Sequence, residues 1–301
     1  MWLMLAVMMI GQEPQPYVVV LGVAQDAGVP QAGTQGDPAW DDPHMRRFAA
    51  CLGLVDPASG QRWMFEATPD FKYQLHHLNT VEPADDRPGL NGIFITHAHI
   101  GHYTGLMHLG HEVMGAQNVP VFVMPRMAKF LASNGPWDQL VRYKNLQLHH
   151  LEEGAGIRLT DHLTVTPFRV PHREEYSEVV GYRIQGPHKS VLFLPDIDKW
   201  ERFDAQGTRI EMLIESVDYA FLDATFYADG EIPGRAMTEI PHPFITESMD
   251  RFDQMSEHHR KKIIFIHLNH TNPALNPTSD AAKTVRNRGY TIAVEGLQLP
   301  L

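Results

Sequence analysis

The sequence predicts an α/β protein of the α+β type, in which two mixed β-sheets pack face to face and helices cover their outer surfaces. Apolar runs of about four to eight residues recur along the chain between turn residues, as expected for strands of buried sheets. Strands come first, then strands alternating with helices, then strands again, and finally a strand–helix–strand unit. That order suits two sheets between two helical layers.

The first half of the chain is predicted to be rich in strands. Alternating or β-branched apolar residues place them at 17–24, 48–56, 62–67, 92–95, 119–124 and 146–151. Thr68 is the predicted N-cap, and Pro69 the first position, of a helix that runs to residue 78. Helical spacing also predicts helices at 106–114 and 127–132.

The second half is predicted to alternate strands and helices. Strands are expected at 163–170, 179–185, 190–194, 219–223 and 262–266, and helices at 209–217, 245–255 and 279–288. A strand at 290–294 is expected to close the chain. No break in composition marks a second domain, so 17–301 is predicted to be one domain.

Composition limits the class of protein. The 301 residues are 43% hydrophobic and 20% charged, as in soluble globular proteins. The net charge of −11 argues against general nucleic-acid binding, because phosphate recognition depends on clustered Lys and Arg. The single cysteine, Cys51, excludes an intrachain disulfide and is expected to be a small buried hydrophobe.

The N-terminal segment 1–10 is almost wholly apolar but too short to span a bilayer. It resembles the core of a signal peptide, yet no Lys or Arg precedes it and no clear cleavage site follows. Residues 1–16 are therefore interpreted as a signal-like remnant or an apolar tail. The protein is cytoplasmic or exported to the periplasm accordingly, with no membrane span.

Three histidines follow the strand at 92–95. His97, His99 and His102 have the spacing His-x-His-x-x-His, and side chains two residues apart in an extended chain point the same way. A turn at Gly101 would bring His102 toward them. Converging neutral imidazoles suit zinc, iron or manganese, whereas the simpler alternative is a group of ordinary polar loop residues.

Three further strands also end in a histidine or an aspartate. His172, Asp196 and His267 each follow an apolar run. Taken singly, each has an ordinary explanation as a surface residue, a cap or a turn former. Their recurrence at strand ends, where rigid scaffolds place ligands and catalysts, favours one shared metal site.

The order of these residues resembles the metallo-β-lactamase fold superfamily over the chain from residue 17 onward. The resemblance implies a four-layer αββα sandwich with a metal pair at the sheet edges. It also implies that His97, His99 and His172 hold a first metal, that His102 and His267 hold a second, and that Asp196 bridges them. Segments 25–31, 66–70 and 267–273 are most similar to the coenzyme PQQ biosynthesis protein B group.

One position departs from the family motif His-x-His-x-Asp-His, because Gly101 stands where that Asp belongs. The missing carboxylate is normally a ligand of the second metal. Asp26 is the candidate replacement, and its alternative role is a turn residue before Gly28. Asp70 is a weaker candidate that is expected to favour the helix dipole. The open outcomes are a single metal, a weakly bound second metal, or a metal pair with a substituted ligand; the last is preferred over a single metal.

Other residues are candidates for supporting roles. His242 resembles the extra histidine of superfamily phosphodiesterases and would serve as a general acid, although a structural loop histidine fits equally. His270 is a candidate substrate contact or partner of a ligand imidazole. Asp223 is expected to contact the residues that bind the metal. Residues 198–200 are candidates to line the pocket, but a solvated turn is preferred.

The predicted function is hydrolysis of an ester, amide or phosphodiester in a small-molecule substrate by a metal-activated water. Asp196, His242 and Asp26 are the predicted catalytic residues. One or two divalent ions are expected, zinc first, with iron or manganese as alternatives. The relatives imply a second function, iron-dependent oxygenation in quinone cofactor biosynthesis. A third is non-catalytic metal binding on the same fold.

Overall fold

Two mixed seven-stranded β-sheets form the centre of the protein. The structure is a computed structural model that describes residues 14–84 and 87–301, so the apolar segment 1–10 lies outside the described residues. The first sheet has the order β14 (Gln298–Pro300), β1 (Tyr17–Gly22), β2 (Cys51–Asp56), β3 (Gln61–Phe65), β4 (Gly92–Phe94), β5 (Val119–Val123) and β6 (Leu146–His150).

The second sheet mirrors the first. Its order is β13 (Thr291–Ile292), β12 (Ile263–Ile266), β11 (Tyr219–Asp223), β10 (Ser190–Leu194), β9 (Val180–Gln185), β8 (Thr164–Arg169) and β7 (Ile157–Arg158). In each sheet one half is antiparallel, β14 to β3 and β7 to β10, and the other half is parallel, β3 to β6 and β10 to β13.

Helices flank the two sheets. They are α1 (Phe71–Val81), α2 (Ile100–Tyr103), α3 (Pro125–Ser133), α4 (Trp137–Arg142), α5 (Trp200–Ala205), α6 (Ile210–Glu215), α7 (Ile245–Phe252), α8 (Glu257–Arg260) and α9 (Asp280–Asn287). Short 3-10 helices lie at Pro38–Trp40, Pro43–Met45, Thr104–Leu109, Met237–Glu239 and Pro273–Leu275.

Three apolar layers hold these elements together, and strand alternation explains why. Val18 and Val20 of β1 pack between the sheets, while Val19 and Leu21 on the opposite face pack under the helical layer that contains α1. Strand β10 divides its residues in the same way between the inter-sheet layer and the layer under α5 to α7. Side chains of a strand point alternately to its two faces, so the predicted αββα sandwich is confirmed.

Some predicted boundaries were wrong. Thr68 is not the N-cap of α1; the helix begins at Phe71, and the Thr68 hydroxyl accepts a hydrogen bond from the Asp70 backbone at 3.1 Å. No α-helix forms at 106–114. Instead, the 3-10 helix Thr104–Leu109 follows directly after α2. There the backbone at Gly105 passes so close to the Thr68 carbonyl that an added Cβ would lie 2.2 Å from it.

The chain also ends differently from the prediction. The expected closing strand becomes the two-residue β13, and the chain then crosses to the first sheet, where β14 pairs antiparallel with β1. Strands as short as β14 carry too few residues to show a period. Among the described residues, no helix is both long and apolar enough to cross a bilayer.

Candidate metal centre

The predicted metal ligands gather where the two sheets meet. His97, Asp196 and His267 follow the carboxyl ends of β4, β10 and β12 directly or within a few residues. The sheets are joined at this edge by backbone hydrogen bonds, among them Gln25 N–H to the Leu268 carbonyl at 2.8 Å. That bond brings the loop after β1 beside the end of β12.

The first cluster consists of His97, His99, His172 and Asp196. Nδ1 of His99 lies 2.8 Å from Nε2 of His97 and 3.2 Å from Nε2 of His172. Oδ2 of Asp196 lies 3.4 Å from His97 Nε2 and 3.2 Å from His172 Nε2. Four donor atoms thus lie within 4.8 Å of one another, and four is the number of ligands that a tetrahedral metal takes.

The second cluster consists of Asp26, His102 and His267. Oδ1 of Asp26 lies 3.3 Å from Nε2 of His102 and 3.8 Å from Nε2 of His267. His102 Nε2 is also 3.7 Å from Oδ2 of Asp196. The carboxylate of Asp196 therefore lies between the two clusters.

Asp26 occupies the space that a side chain at position 101 would need. A Cβ added to Gly101 would lie 2.3 Å from both Cα and Oδ1 of Asp26. Gly101 itself lies in α2, where the His102 N–H donates to the His99 carbonyl, so a helical turn brings His102 back toward the other histidines. The loop after β1 thus supplies a carboxylate where the family motif has its Asp.

Each histidine is held through its other ring nitrogen, an arrangement typical of metal-binding imidazoles. Glu66, fully buried, contacts Nδ1 of His102 at 3.1 Å, and Asp198 contacts Nδ1 of His172 at 3.0 Å. Nδ1 of His97 lies 2.8 Å from the Thr96 hydroxyl, and Nδ1 of His267 lies 2.9 Å from the Thr225 hydroxyl. His99 is held at Nε2, which lies 3.1 Å from Glu175.

Sequence reasoning missed most of these partners. Glu66 was noted only as part of the family-like segment, although it too follows a buried strand, β3. The solvated turn expected at 198–200 was wrong: Asp198 and Trp200 are buried, and Lys199 pairs with Glu247. A turn is buried there because the second sheet and α7 enclose it.

Backbone strain is concentrated at this centre. Among the described residues, five non-glycine residues have positive φ, and three of them are Asp26 (31°), Glu66 (80°) and His267 (68°). Such conformations cost about 1–3 kcal/mol each and persist only where the surrounding structure imposes them. Their presence here fits a site whose side-chain directions are fixed by the fold.

The protonation states of the cluster residues depend on their charged neighbours. Burial alone would lower the pKa of His172, but the carboxylates of Asp196 and Asp198 raise it to about 10. Burial alone would raise the pKa of Asp26, but contacts with His102 and His267 hold it well below its usual range. Burial alone would also raise the pKa of Asp196, but His172 and His242 hold it well below its usual range. Asp26 and Asp196 are thus carboxylates, the form in which they bind cations.

His242 lies beside the clusters, on the wall of a cleft. Its Nδ1 is 2.8 Å from Oδ2 of Asp223 and 3.3 Å from Oδ1 of Asp196. Burial alone would lower the pKa of His242, yet Asp223 and Asp196 outweigh it and raise the pKa above its ordinary value. Asp223 also accepts hydrogen bonds from Thr225, so it supports both His242 and, through Thr225, His267.

Two predicted residues lie outside the clusters. His270 lines the cleft together with Asp26 and His242, and its Nδ1 is buried without a hydrogen-bond partner among the described residues. Asp70 is the N-cap residue of α1, and its Oδ2 accepts a hydrogen bond from the Ala49 backbone at 2.9 Å. His270 therefore lies at the site, whereas Asp70 interacts with a neighbouring loop.

The donor atoms fit divalent metal ions. Four buried side-chain atoms at the centre have no hydrogen-bond partner within the described protein: Asp26 Oδ1, His102 Nε2, Asp196 Oδ1 and His267 Nε2. Buried polar atoms are nearly always satisfied in native proteins, so such a convergence calls for a cation. Imidazole nitrogens with two carboxylates suit zinc, and also iron and manganese.

The chain is similar in sequence and in fold to known proteins. Coenzyme PQQ synthesis protein B of Xanthomonas campestris pv. campestris (strain B100) is 24% identical over 311 residues, covering 94% of this chain and 99% of that protein. The crystal structure of Zn(2+)-bound PqqB from Methylobacterium extorquens matches with a TM-score of 0.78 at 21% identity, covering 95% of this chain and all of that one.

A diphosphatase of the PhnP family also has a similar structure, with a TM-score of 0.64 at 22% identity, covering 96% of this chain and 98% of that chain. At these identities the structural likeness establishes the fold. The family model described as the beta-lactamase superfamily domain matches residues 61–268, more than half of the chain. The chain therefore belongs to the beta-lactamase superfamily domain family and has the metallo-β-lactamase fold.

Proposed function

We propose that this protein is a metal-dependent hydrolase that cleaves an ester, amide or phosphodiester bond in a small-molecule substrate. The observation that carries the proposal is the pair of donor clusters that meet at Asp196 beside a cleft lined by His242. Such a reaction can be catalysed by a pair of metal sites with a proton donor next to them.

The two clusters define which residues would hold the ions. The first ion would be held by His97, His99 and His172, the second by Asp26, His102 and His267, with Asp196 between them. Divalent ions held there, zinc foremost, would supply Lewis acidity toward a carbonyl or phosphoryl oxygen and would lower the pKa of water toward neutrality.

His242 would act as the general acid. Its Nδ1 is engaged with Asp223, so Nε2 would be the nitrogen that gives a proton to the leaving group. The raised pKa of His242 keeps the imidazole protonated nearer to neutral pH, as this role requires. We therefore expect His242→Gln to lower kcat by at least about 100-fold with metal content unchanged, whereas the same change at exposed His76 leaves both unaltered.

A second candidate is an iron-dependent oxygenase of quinone cofactor biosynthesis. It is favoured by the similarity to coenzyme PQQ synthesis protein B, which extends over 94% of the chain. A non-catalytic metal-binding protein is the third alternative, because a fold does not determine a reaction.

Metal analysis separates these functions. Protein purified without added metal would be analysed for the identity and number of bound ions, then assayed on a panel of esters, amides and phosphodiesters and for oxygen consumption. Zinc or manganese with hydrolysis that a chelator abolishes supports the hydrolase. Iron with oxygen consumption supports the oxygenase, and bound metal without any turnover supports the binding protein.

A further inference from the structure

A second cavity adjoins the cleft of the metal centre. The cleft has a volume of about 670 Å³, and the neighbouring cavity, here called the side cavity, one of about 570 Å³. The side cavity is built mainly by segments 34–39 and 270–277, and His270 lines both spaces. Its size lies within the range of about 300–1,000 Å³ that is typical of ligand sites.

We propose that the side cavity binds an apolar, ring-sized arm of the substrate, and that His270 hydrogen-bonds a polar atom of that arm. That the ligand is a substrate rests on the proposed hydrolytic function. The binding of a ligand by the side cavity does not depend on that function.

The lining of the side cavity is largely apolar. Its apolar residues are Val29, Pro38, Ala39, Met45, Pro273, Leu275 and Pro277. A ring placed among them would lose contact with water, and burial of apolar surface is worth about 25 cal/mol per Å². Several of these residues are prolines or lie beside 3-10 helices, so the wall is held in shape before a ligand arrives.

Three of the polar residues around the side cavity, Asp37, Arg47 and Asn272, have hydrogen-bond partners within the protein. Asp37 accepts a hydrogen bond from the Ala39 backbone at 2.9 Å, and Arg47 donates to the His44 carbonyl at 2.8 Å. The Asn272 amide donates to the Ala224 carbonyl at 2.9 Å.

Nδ1 of His270 on this wall differs from these groups. It is buried and has no partner among the described residues. A ligand in the side cavity is therefore recognised by apolar contact and one directed hydrogen bond, the pattern of a small-molecule site.

The same two chain segments build both spaces, which connects the side cavity to the reaction. The loop after β1 places Asp26 and Gln31 on the cleft, and Val29 and Thr34 on the side cavity. The segment after β12 places Asn269 on the cleft and residues from 271 onward on the side cavity, with His270 on both. A molecule whose reacting bond lies at the clusters can thus extend past His270.

Two measurements test the proposal on the metal-loaded full-length protein. The first is calorimetric titration with 1-naphthol, which needs no turnover. The second is the ratio of the KM for methyl p-nitrophenyl phosphate to the KM for 1-naphthyl p-nitrophenyl phosphate. Thr34→Trp places a large side chain at the half-buried rim of the side cavity, and Thr208→Trp, at a half-buried loop threonine that lines neither space, is its matched control.

We expect wild-type protein to bind 1-naphthol and to prefer the naphthyl ester. Thr34→Trp should raise the Kd of 1-naphthol and lower the KM ratio, each by about tenfold or more, and His270→Ala should weaken 1-naphthol binding by about three- to tenfold. Metal content should stay unchanged in both variants, and Thr208→Trp should match the wild type. Because His270→Ala removes atoms instead of adding them, it remains informative if Thr34→Trp does not fold.

Equal binding of 1-naphthol by the wild type and both variants, or no binding at all, overturns the side cavity as a ligand site. Binding that Thr34→Trp abolishes without changing the KM ratio overturns the substrate arm. If the wild type hydrolyses neither phosphodiester, phosphodiester hydrolysis is contradicted as part of the proposed function. In that case, loss of 1-naphthol binding in Thr34→Trp still supports the side cavity as a ligand site. Retention of 1-naphthol binding in Thr34→Trp overturns the side cavity as a ligand site.

Discussion

The two donor clusters of this protein are assembled in different ways. In the first, His97 and His99 come from one short stretch, and His172 and Asp196 come from strand ends of the second sheet. In the second, His102 from that stretch meets His267 from near the other end of the chain and Asp26 from near its beginning. The second cluster therefore depends on correct packing of three distant segments.

The clusters also differ in how firmly their carboxylates are enclosed. The Asp196 side chain is 4% exposed, whereas that of Asp26 is 39% exposed, although its Oδ1 is buried. Asp26 is also held on a loop with positive φ. A ligand on a more exposed loop gives way more easily, so we expect the second cluster to bind its ion more weakly than the first.

Removing a donor of the first cluster should have the largest effect. His99→Ala takes away the Nδ1 that faces both His97 and His172, and metal affinity should fall by more than about 100-fold, since even partners of a ligand contribute 10- to 100-fold. Elemental analysis after dialysis would then find most of the metal gone. His76→Ala, at an exposed histidine, is the control, and full metal content in His99→Ala would disprove the assignment.

Removing Asp26 should affect only the second cluster. Asp26→Ala should lower the metal content by about one ion per chain and leave the first cluster occupied, because His97, His99 and His172 do not depend on it. Competition with a chromophoric chelator would resolve the two affinities. Exposed Asp41→Ala serves as control; if Asp26→Ala retained both ions with wild-type affinity, Asp26 would be only a turn residue.

The smallest effect is expected from a methyl group at position 101. Gly101→Ala forces the added Cβ against the Asp26 backbone, and overpacking of this kind costs about 1–3 kcal/mol. We expect a lower thermal midpoint, and weaker binding of the second ion, than in the wild type. Gly135→Ala, whose Cβ would meet no atom closer than 3.6 Å, is the matched control. Equal thermal midpoints for both variants would show that the loop of Asp26 can move aside.

The sequence by itself determined the αββα architecture and named the five histidines of the two donor clusters. Strand periodicity is local, and a histidine next to an apolar strand is visible without knowledge of its neighbours in space. For the same reason short elements such as α4, α5 and β14 escaped prediction, because a few residues show no period.

Only the tertiary structure decided what accompanies those histidines. Asp26 meets His102 because the loop after β1 pairs with residues after β12, and Glu66 reaches His102 from the end of β3. From the sequence, Asp26 could be named as a replacement for the carboxylate missing at Gly101. The same sequence pattern was equally consistent with an aspartate that only forms a turn. The distinction lies in packing between segments far apart in the chain, which no local pattern records.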